Sequence, residues 1–180
     1  MGPYILQTAR LGLRRYTADD VEQLRPVFAD PYSATFYPGM DRQELLERWI
    51  DWNLRNYRDH GFGLWALEWR EDGTFVGDAG ITWQTVEGER ILEIGWHIHP
   101  LFRGRGLATE AGRACMAYGF EHLRAGSLGS IVDPANIASI KVASRVHSGQ
   151  REYEGAKGPM LLFSTSAAQF ASARGVPPIP

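Results

Sequence analysis

Two sets of residues in this 180-residue chain have types and spacing suited to chemistry. The first is the turn Arg103-Gly104-Arg105-Gly106-Leu107-Ala108. It lies between an apolar strand-like run, ILEIGWHI (91 to 98), and a small-residue helical pattern, LATEAGRACMAYGFEHL (107 to 123). Glycines let backbone N–H groups converge, and a helix start adds unpaired donors and the positive end of its dipole. Arg103 and Arg105 add side-chain charge that suits phosphate oxygens. Together these features describe a pyrophosphate cradle. The second set lies on the strand before it. Glu93, between Leu92 and Ile94, is a carboxylate in an otherwise apolar run, which is costly unless the group is used or paired. Partial burial would raise its pKa toward that of a useful general base. His97 shares the strand face of Glu93 by the period of two, and a histidine can act as base or water partner near neutral pH. Both residues also have a purely structural reading, as a carboxylate bonded to backbone N–H groups or an arginine and as a hydrogen-bonded histidine.

Two familiar phosphate loops are excluded by the residues themselves. A P-loop ends in Gly-Lys-Ser/Thr, whereas Gly106 is followed by Leu107 and Ala108. The dinucleotide fingerprint needs a third glycine where Thr109 stands. At 180 residues, with 44% hydrophobic and 22% charged residues, the chain reads as one ordinary globular domain. A net charge of −2 gives no reason to expect nucleic-acid binding. One cysteine, Cys115, excludes an internal disulfide and any cysteine-cluster metal site, and its place in a helical pattern suggests a core residue. No metal is expected. With no secretion signal or 18-residue apolar stretch, a cytoplasmic protein without a membrane partner is expected. A homodimer is left open.

The elements that must position these residues follow from periodicity. RLGLRRY (10 to 16) alternates as a short strand, and Thr17 with Asp20 resembles a capping box opening a helix that Pro26 kinks or shortens. Asp41 with Glu44 opens a second helix running to Gly61. FGLWALEWR (62 to 70) and FVGDAGITW (75 to 83) form an antiparallel hairpin, and the turn 84 to 90 leads into 91 to 98. SLGSIV (127 to 132) suits a buried parallel strand after the central helix, 136 to 146 is another helix, and strands near 151 to 154 and 160 to 165 close the fold. The expected architecture is α/β: a mostly antiparallel sheet with one parallel crossover pair, flanked by about four helices. Residues 1 to 165 form the single domain and 166 to 180 a loosely ordered tail.

The pattern Arg103-x-x-Gly106-x-Ala108 resembles the acyl-CoA pyrophosphate loop of the GNAT superfamily of N-acyltransferases, and the element order is similar to theirs. TARLGLRRYTADD (8 to 20), GDAGITW (77 to 83), EIGWHIHPLFRGRGLATEA (93 to 111) and NIASIKVASR (136 to 145) resemble, in order, blocks of the branch that includes the ribosomal-protein N-terminal acetyltransferases. The resemblance implies an acetyl-CoA-dependent N-acetyltransferase that moves an acetyl group to a primary amine by direct attack in a ternary complex. The amine would be a protein N-terminus or a small amine. It implies that Arg103, Gly104, Arg105, Gly106, Leu107, Ala108 and Thr109 hold the pyrophosphate. It also implies that the strand ending at Ile98 binds pantetheine and thioester where SLGSIV splays away from it. Asn136 would reach the pantetheine amide, unless it is simply a helix cap, and Ser139 would bond the departing thiolate or a water. Catalytic candidates are therefore Glu93, His97 and Ser139. The tyrosine acid that many members carry seven residues after this asparagine is replaced by Ala143, and Val146-His147-Ser148-Gly149 stands where a Gly-Phe pair is usual. A second reading is therefore a non-catalytic acyl-CoA-binding sensor or scaffold.

Overall fold

Alternating apolar runs build one eight-stranded sheet with strand order β1-β2-β3-β4-β5-β6-β8-β7 in a computed structural model that describes residues 4–175. The strands are β1 (Leu6–Gln7), β2 (Leu11–Arg14), β3 (Leu64–Trp69), β4 (Phe75–Val86), β5 (Glu89–Ile98), β6 (Ser127–Val132), β7 (Gly149–Gly155) and β8 (Gly158–Ser166). All neighbours are antiparallel except β5 and β6, which are joined by the crossover helix α4 (Leu107–Glu121). The remaining helices are α1 (Val21–Ala29), α2 (Pro31–Phe36), α3 (Gln43–His60), α5 (Ile137–Val146) and α6 (Ala167–Ala173). The expected mixed sheet with one parallel pair is present, with six helices in place of about four.

Helices α2, α5 and α6 begin where a short polar side chain, from Asp30, Asn136 and Ser166, satisfies a backbone donor. Asp20 accepts from the Thr17 N–H at 2.7 Å, and Asp30 accepts from the N–H groups of Tyr32 and Ser33, closing α1 and opening α2. Pro26 is tolerated inside α1, which ends only three residues later. The loose tail expected from residue 166 is corrected between Ser166 and Ala173. Ser166 and Gln169 form a capping box that starts α6, and Phe170 stacks on Phe120 with centroids 4.7 Å apart. Residues 176–180 lie outside the described part.

Core packing places Trp65, Leu67, Ile81, Ile94 and Leu107 at 1% exposure or less, each contributing roughly 1.5–3 kcal/mol by burial. Cys115 is among these buried residues, and burial pushes its thiol up to about 12, so it is inert packing material.

The feature that shapes the site is a weak seam. β5 and β6 share a single bridge, Glu93 opposite Gly129, although β5 continues to Ile98. Ser130 Oγ fills the start of the gap, donating to the Ile94 carbonyl at 2.7 Å and lying 2.9 Å from His147 Nε2. Because the hydroxyl hydrogen is engaged, Nε2 must be the donor. His147 is buried, and desolvation lowers its pKa to about 4. A pKa below its ordinary 6.5 means that the unfolded chain takes up a proton which the native fold refuses. The stabilisation from neutral His147 is complete above pH 6.5 and is lost as pH falls toward about 4. At about 1.4 kcal/mol per pKa unit the loss reaches a few kcal/mol. His147→Gln keeps a donor for Ser130 and removes the titration. Urea unfolding from pH 7 to pH 4 should show a smaller decline for the variant than for the parent chain, and parallel curves would mean that His147 does not brace the seam.

Candidate active site

Where β5 leaves β6, its backbone has polar groups without strand partners. His99 donates its N–H to Val76 on the β4 side at 3.0 Å. The carbonyls of Ile94 and Ile98 face the other way, toward Ser130 Oγ and Arg103 Nε. By strand alternation, the N–H groups of Trp96 and Ile98 point into the gap between β5 and β6. They are donors for a ligand lying along β5, so the splay expected of this strand pair is present.

A cavity of about 280 Å³ opens at this gap, and a second of about 440 Å³ lies beside it. The first is lined by Ile98, Arg103, Gly104, Gly106, Leu107, Ala108 and Thr109, with Asn136 and Ser139 from the start of α5. Gly104 and Gly106 have φ of 75° and 77°, a left-handed backbone that a side chain would strain, and Gly106 caps α4. The second is lined by Glu93, Ser130 and Asp133, with a wall that includes Trp49, Trp52 and Met160. Both share Phe36, Tyr37, Trp96, His97, Asn136 and Ser139, so the two spaces meet at those residues.

The arginines of the turn both have partners within the protein. The Arg103 guanidinium donates to Asp30 at 2.7 Å, to Ser33 Oγ at 2.8 Å and to the Ile98 carbonyl at 3.0 Å. Asp30 is held well below the usual carboxylate range: burial opposes this, but Arg103 and the α2 N–H groups outweigh it. Arg103 is thus a tie between α2, β5 and the turn, and its charge is already paired. Arg105 lies over the Phe102 ring, its guanidinium carbon 5.4 Å from the centroid, and is absent from the cavity lining. The cations that do line the first cavity, besides Arg103, are Lys141 and Arg145, four residues apart on α5. That helical spacing was the available signal for them.

Glu93 and His97 line the second cavity together, as the period of two requires. Glu93 accepts from the Ile131 N–H at 3.2 Å, and desolvation raises its pKa despite that bond and the nearby His97. His97 is bracketed: Nδ1 lies 2.7 Å from Asp78 Oδ1, and Nε2 lies 3.0 Å from Tyr37 Oη. Asp78 is fully buried and also accepts from Tyr16 Oη at 2.8 Å and Trp49 Nε1 at 3.2 Å. A carboxylate fixes the ring with Nδ1 as donor, leaving Nε2 as the acceptor of the neutral imidazole. Burial, with Glu93 and Asp78 nearby, pushes the Tyr37 hydroxyl well above its ordinary value. Asp78 and Tyr37 were missed in sequence. Asp78 carried the same signal as Glu93, a lone carboxylate in an apolar strand run, whereas Tyr37 was one aromatic among many.

At the start of α5, Asn136 Oδ1 accepts from the Ser139 N–H at 3.0 Å and from Tyr32 Oη at 2.8 Å. Asn136 is therefore a helix cap and a cavity-lining residue at once. Ala143 is fully buried away from both cavities.

The family described as "Acetyltransferase (GNAT) domain" matches residues 10–148. The chain belongs to the GNAT acetyltransferases. It is 38% identical over 120 residues to the uncharacterized protein YkkB of Bacillus subtilis, covering 67% of this chain and 70% of YkkB. It is 30% identical over 138 residues to the uncharacterized N-acetyltransferase YoaA of the same organism, covering 75% and 77% of the two chains. The solved structure of RimL, a ribosomal-protein α-N-acetyltransferase in complex with coenzyme A, superposes with a TM-score of 0.72 at 15% identity, covering 91% of this chain and 98% of that one. With the family established, the chain is an N-acetyltransferase.

The pairing of Arg103 with Asp30 can be tested. If Arg103 acts on CoA only by holding the turn, Asp30→Asn and Arg103→Gln should each weaken CoA binding by roughly tenfold, about 1.4 kcal/mol. The double variant should be little worse than either. Calorimetry that finds Asp30→Asn harmless and Arg103→Gln damaging would give Arg103 a direct phosphate contact instead.

Proposed function

We propose that acetyl-CoA occupies the smaller cavity and a primary amine the larger one, and that the acetyl group crosses directly between them in a ternary complex. The observation that carries this reading is the shared boundary: two cavities meet at Trp96, His97, Asn136 and Ser139, with Glu93 only on the acceptor side and the turn 103–109 only on the other. The Trp96 and Ile98 N–H groups hold pantetheine in strand-like fashion and polarise the thioester carbonyl. Backbone donors of Gly104 to Thr109 and the α4 start receive the pyrophosphate, with charge supplied by Lys141 and Arg145. The CoA-bound RimL structure, which has the same fold, supports this side of the reading. A sensor module without catalysis would have no use for an acceptor cavity with a carboxylate of raised pKa.

The proton balance has two parts. An arriving ammonium gives its first proton to Glu93 through water, and the free amine attacks the thioester carbonyl. As the C–N bond forms and the C–S bond breaks, the second proton passes to the sulfur, with the Tyr37–His97 pair and Ser139 at the junction. Glu93 and His97 are four residues apart, about 13 Å along a strand, which is why water must complete the path.

Glu93 must be ionised to act, so its raised pKa places an acidic limb in the pH–rate profile: activity falls as pH drops through that value. Glu93→Gln should lower kcat by about 10²-fold or more, remove that limb and leave CoA affinity intact. The same substitution relieves a buried charge, so stability at neutral pH should hold or rise. Near-normal kcat with the limb unchanged would exclude Glu93, and the same measurements on His97→Gln would then decide for the histidine.

A further inference from the structure

The larger cavity has a chemistry of its own, which selects an acceptor only on the acetyl-transfer reading. Its wall combines aromatic and apolar groups, among them Phe36, Trp49, Trp52, Trp96 and Met160, with the neutral polar side chains of Thr82, Gln84, Ser130, Asn136 and Ser139. Trp49 and Trp52 face the same space with ring centroids 5.7 Å apart and planes inclined by 50°, forming an angled corner. Both are half-buried, so their remaining surface belongs to this hollow. The charged groups on the wall are two carboxylates, Glu93 and Asp133, and one ammonium, Lys157, besides His97. Asp133 already accepts from the Ala135 N–H at 2.8 Å, and Glu93 from the Ile131 N–H at 3.2 Å. Two carboxylates against one ammonium leave at most one negative charge to meet a cationic guest.

That count selects among amines. A polyamine or an amino sugar with several ammonium groups would bury extra positive charge without partners and beside Lys157. A peptide N-terminus brings amide groups on both sides of its first residues. Of the polar side chains on the wall, Ser130 Oγ and Asn136 Oδ1 are already bonded, and Gln84 donates to Thr82, so few partners remain for those amides. A single ammonium on a flat or branched apolar body meets neither obstacle. Its body fills the Trp49–Trp52 corner, the ammonium is attracted to ring faces and to Glu93, and a volume of about 440 Å³ accommodates a two-ring guest.

We propose that the acceptor is a primary monoamine carrying an aromatic or bulky aliphatic group, selected by the tryptophan corner. Its nitrogen forms the amide bond as the thioester C–S bond breaks. CoA leaves as the thiol, and the surplus ammonium proton goes to solvent through Glu93.

The test uses the full chain, acetyl-CoA and five amines: tryptamine, phenethylamine, spermidine, kanamycin and a seryl-led pentapeptide. Thiol release gives kcat/KM, and mass spectrometry identifies the acetylated product. Tryptamine and phenethylamine should exceed the other three by at least tenfold in kcat/KM. Trp52→Ala should raise KM for tryptamine tenfold or more with CoA affinity unchanged, and Trp52→Phe should restore part of it, which guards against a variant that fails to fold. Preferred turnover of spermidine, kanamycin or the peptide would overturn this substrate class while leaving the transfer reading in place. Intact CoA binding with no acetylated product from any of the five would overturn both.

Discussion

The parting of β5 from β6 is the constraint on which the rest of the molecule depends. A parallel pair inside a sheet ordinarily exchanges hydrogen bonds along its length, and leaving polar backbone groups without partners in a half-buried region costs free energy. Here the exchange stops after the single bridge of Glu93 and Gly129. The seam is held open by side chains: Ser130 binds the Ile94 carbonyl, His147 binds Ser130, and Glu93 accepts from Ile131. Beyond these contacts, Trp96 and Ile98 present their N–H groups to the gap, and both cavities lie along it. Closing the seam would satisfy the backbone and erase the site. The unusual Val146-His147-Ser148-Gly149 turn acquires a physical role on this view, since His147 and the Ser148 N–H both engage Thr165 or Ser130 across β6 and β8.

A second buried polar centre fixes the wall of the larger cavity. Asp78 sits fully inside the protein, where an unpaired carboxylate would be prohibitively costly. Three donors from three parts of the chain satisfy it: Tyr16 after β2, Trp49 on α3 and His97 on β5. The same bonds lock the His97 ring and set the plane of Trp49, which walls the larger cavity. The histidine at the junction and the aromatic corner beyond it are therefore positioned by one carboxylate.

Much of this was legible in the sequence, and the failures share a cause. The turn at 103–109 was readable because positive-φ glycines before a helix are a local signal. The hairpins, the crossover and the cap at Asn136 were readable for the same reason. The partners of Arg103, Asp30 and Ser33, were not legible because they are about 70 residues away along the chain, and only tertiary structure brings them together. The splay was implied by resemblance alone, because SLGSIV and ILEIGWHI are both ordinary strand runs with no residue that forbids pairing. Tyr37 had no distinguishing mark until α2 brought its hydroxyl to His97. The helix α6 is a different failure: Ser166-x-x-Gln169 is a capping box written in the sequence, obscured by the proline-rich residues that come after it.

Ala143 shows how the junction can work without the tyrosine that many family members place there. Its methyl group is fully buried in a small cluster with Val132 and Phe163. A phenol at that position would have to displace packed side chains, at a cost of about 1–3 kcal/mol. In this chain α5 instead braces the seam from its C-terminal end, through His147, and caps itself with Asn136 at the other. The hydroxyl at the meeting of the two cavities comes from α2, through Tyr37, and is held by His97 and ultimately by Asp78. On the proposed reading, a thiolate leaving the tetrahedral intermediate meets this phenol or the Ser139 hydroxyl, and it needs little more. A thiol of ordinary pKa, about 8.5, leaves readily as the anion and takes a proton afterward. The demanding proton transfer is the one from the ammonium. On the same proposed reading it is served by Glu93, a carboxylate whose burial raises its pKa and which lines the larger cavity, where an incoming amine would first arrive.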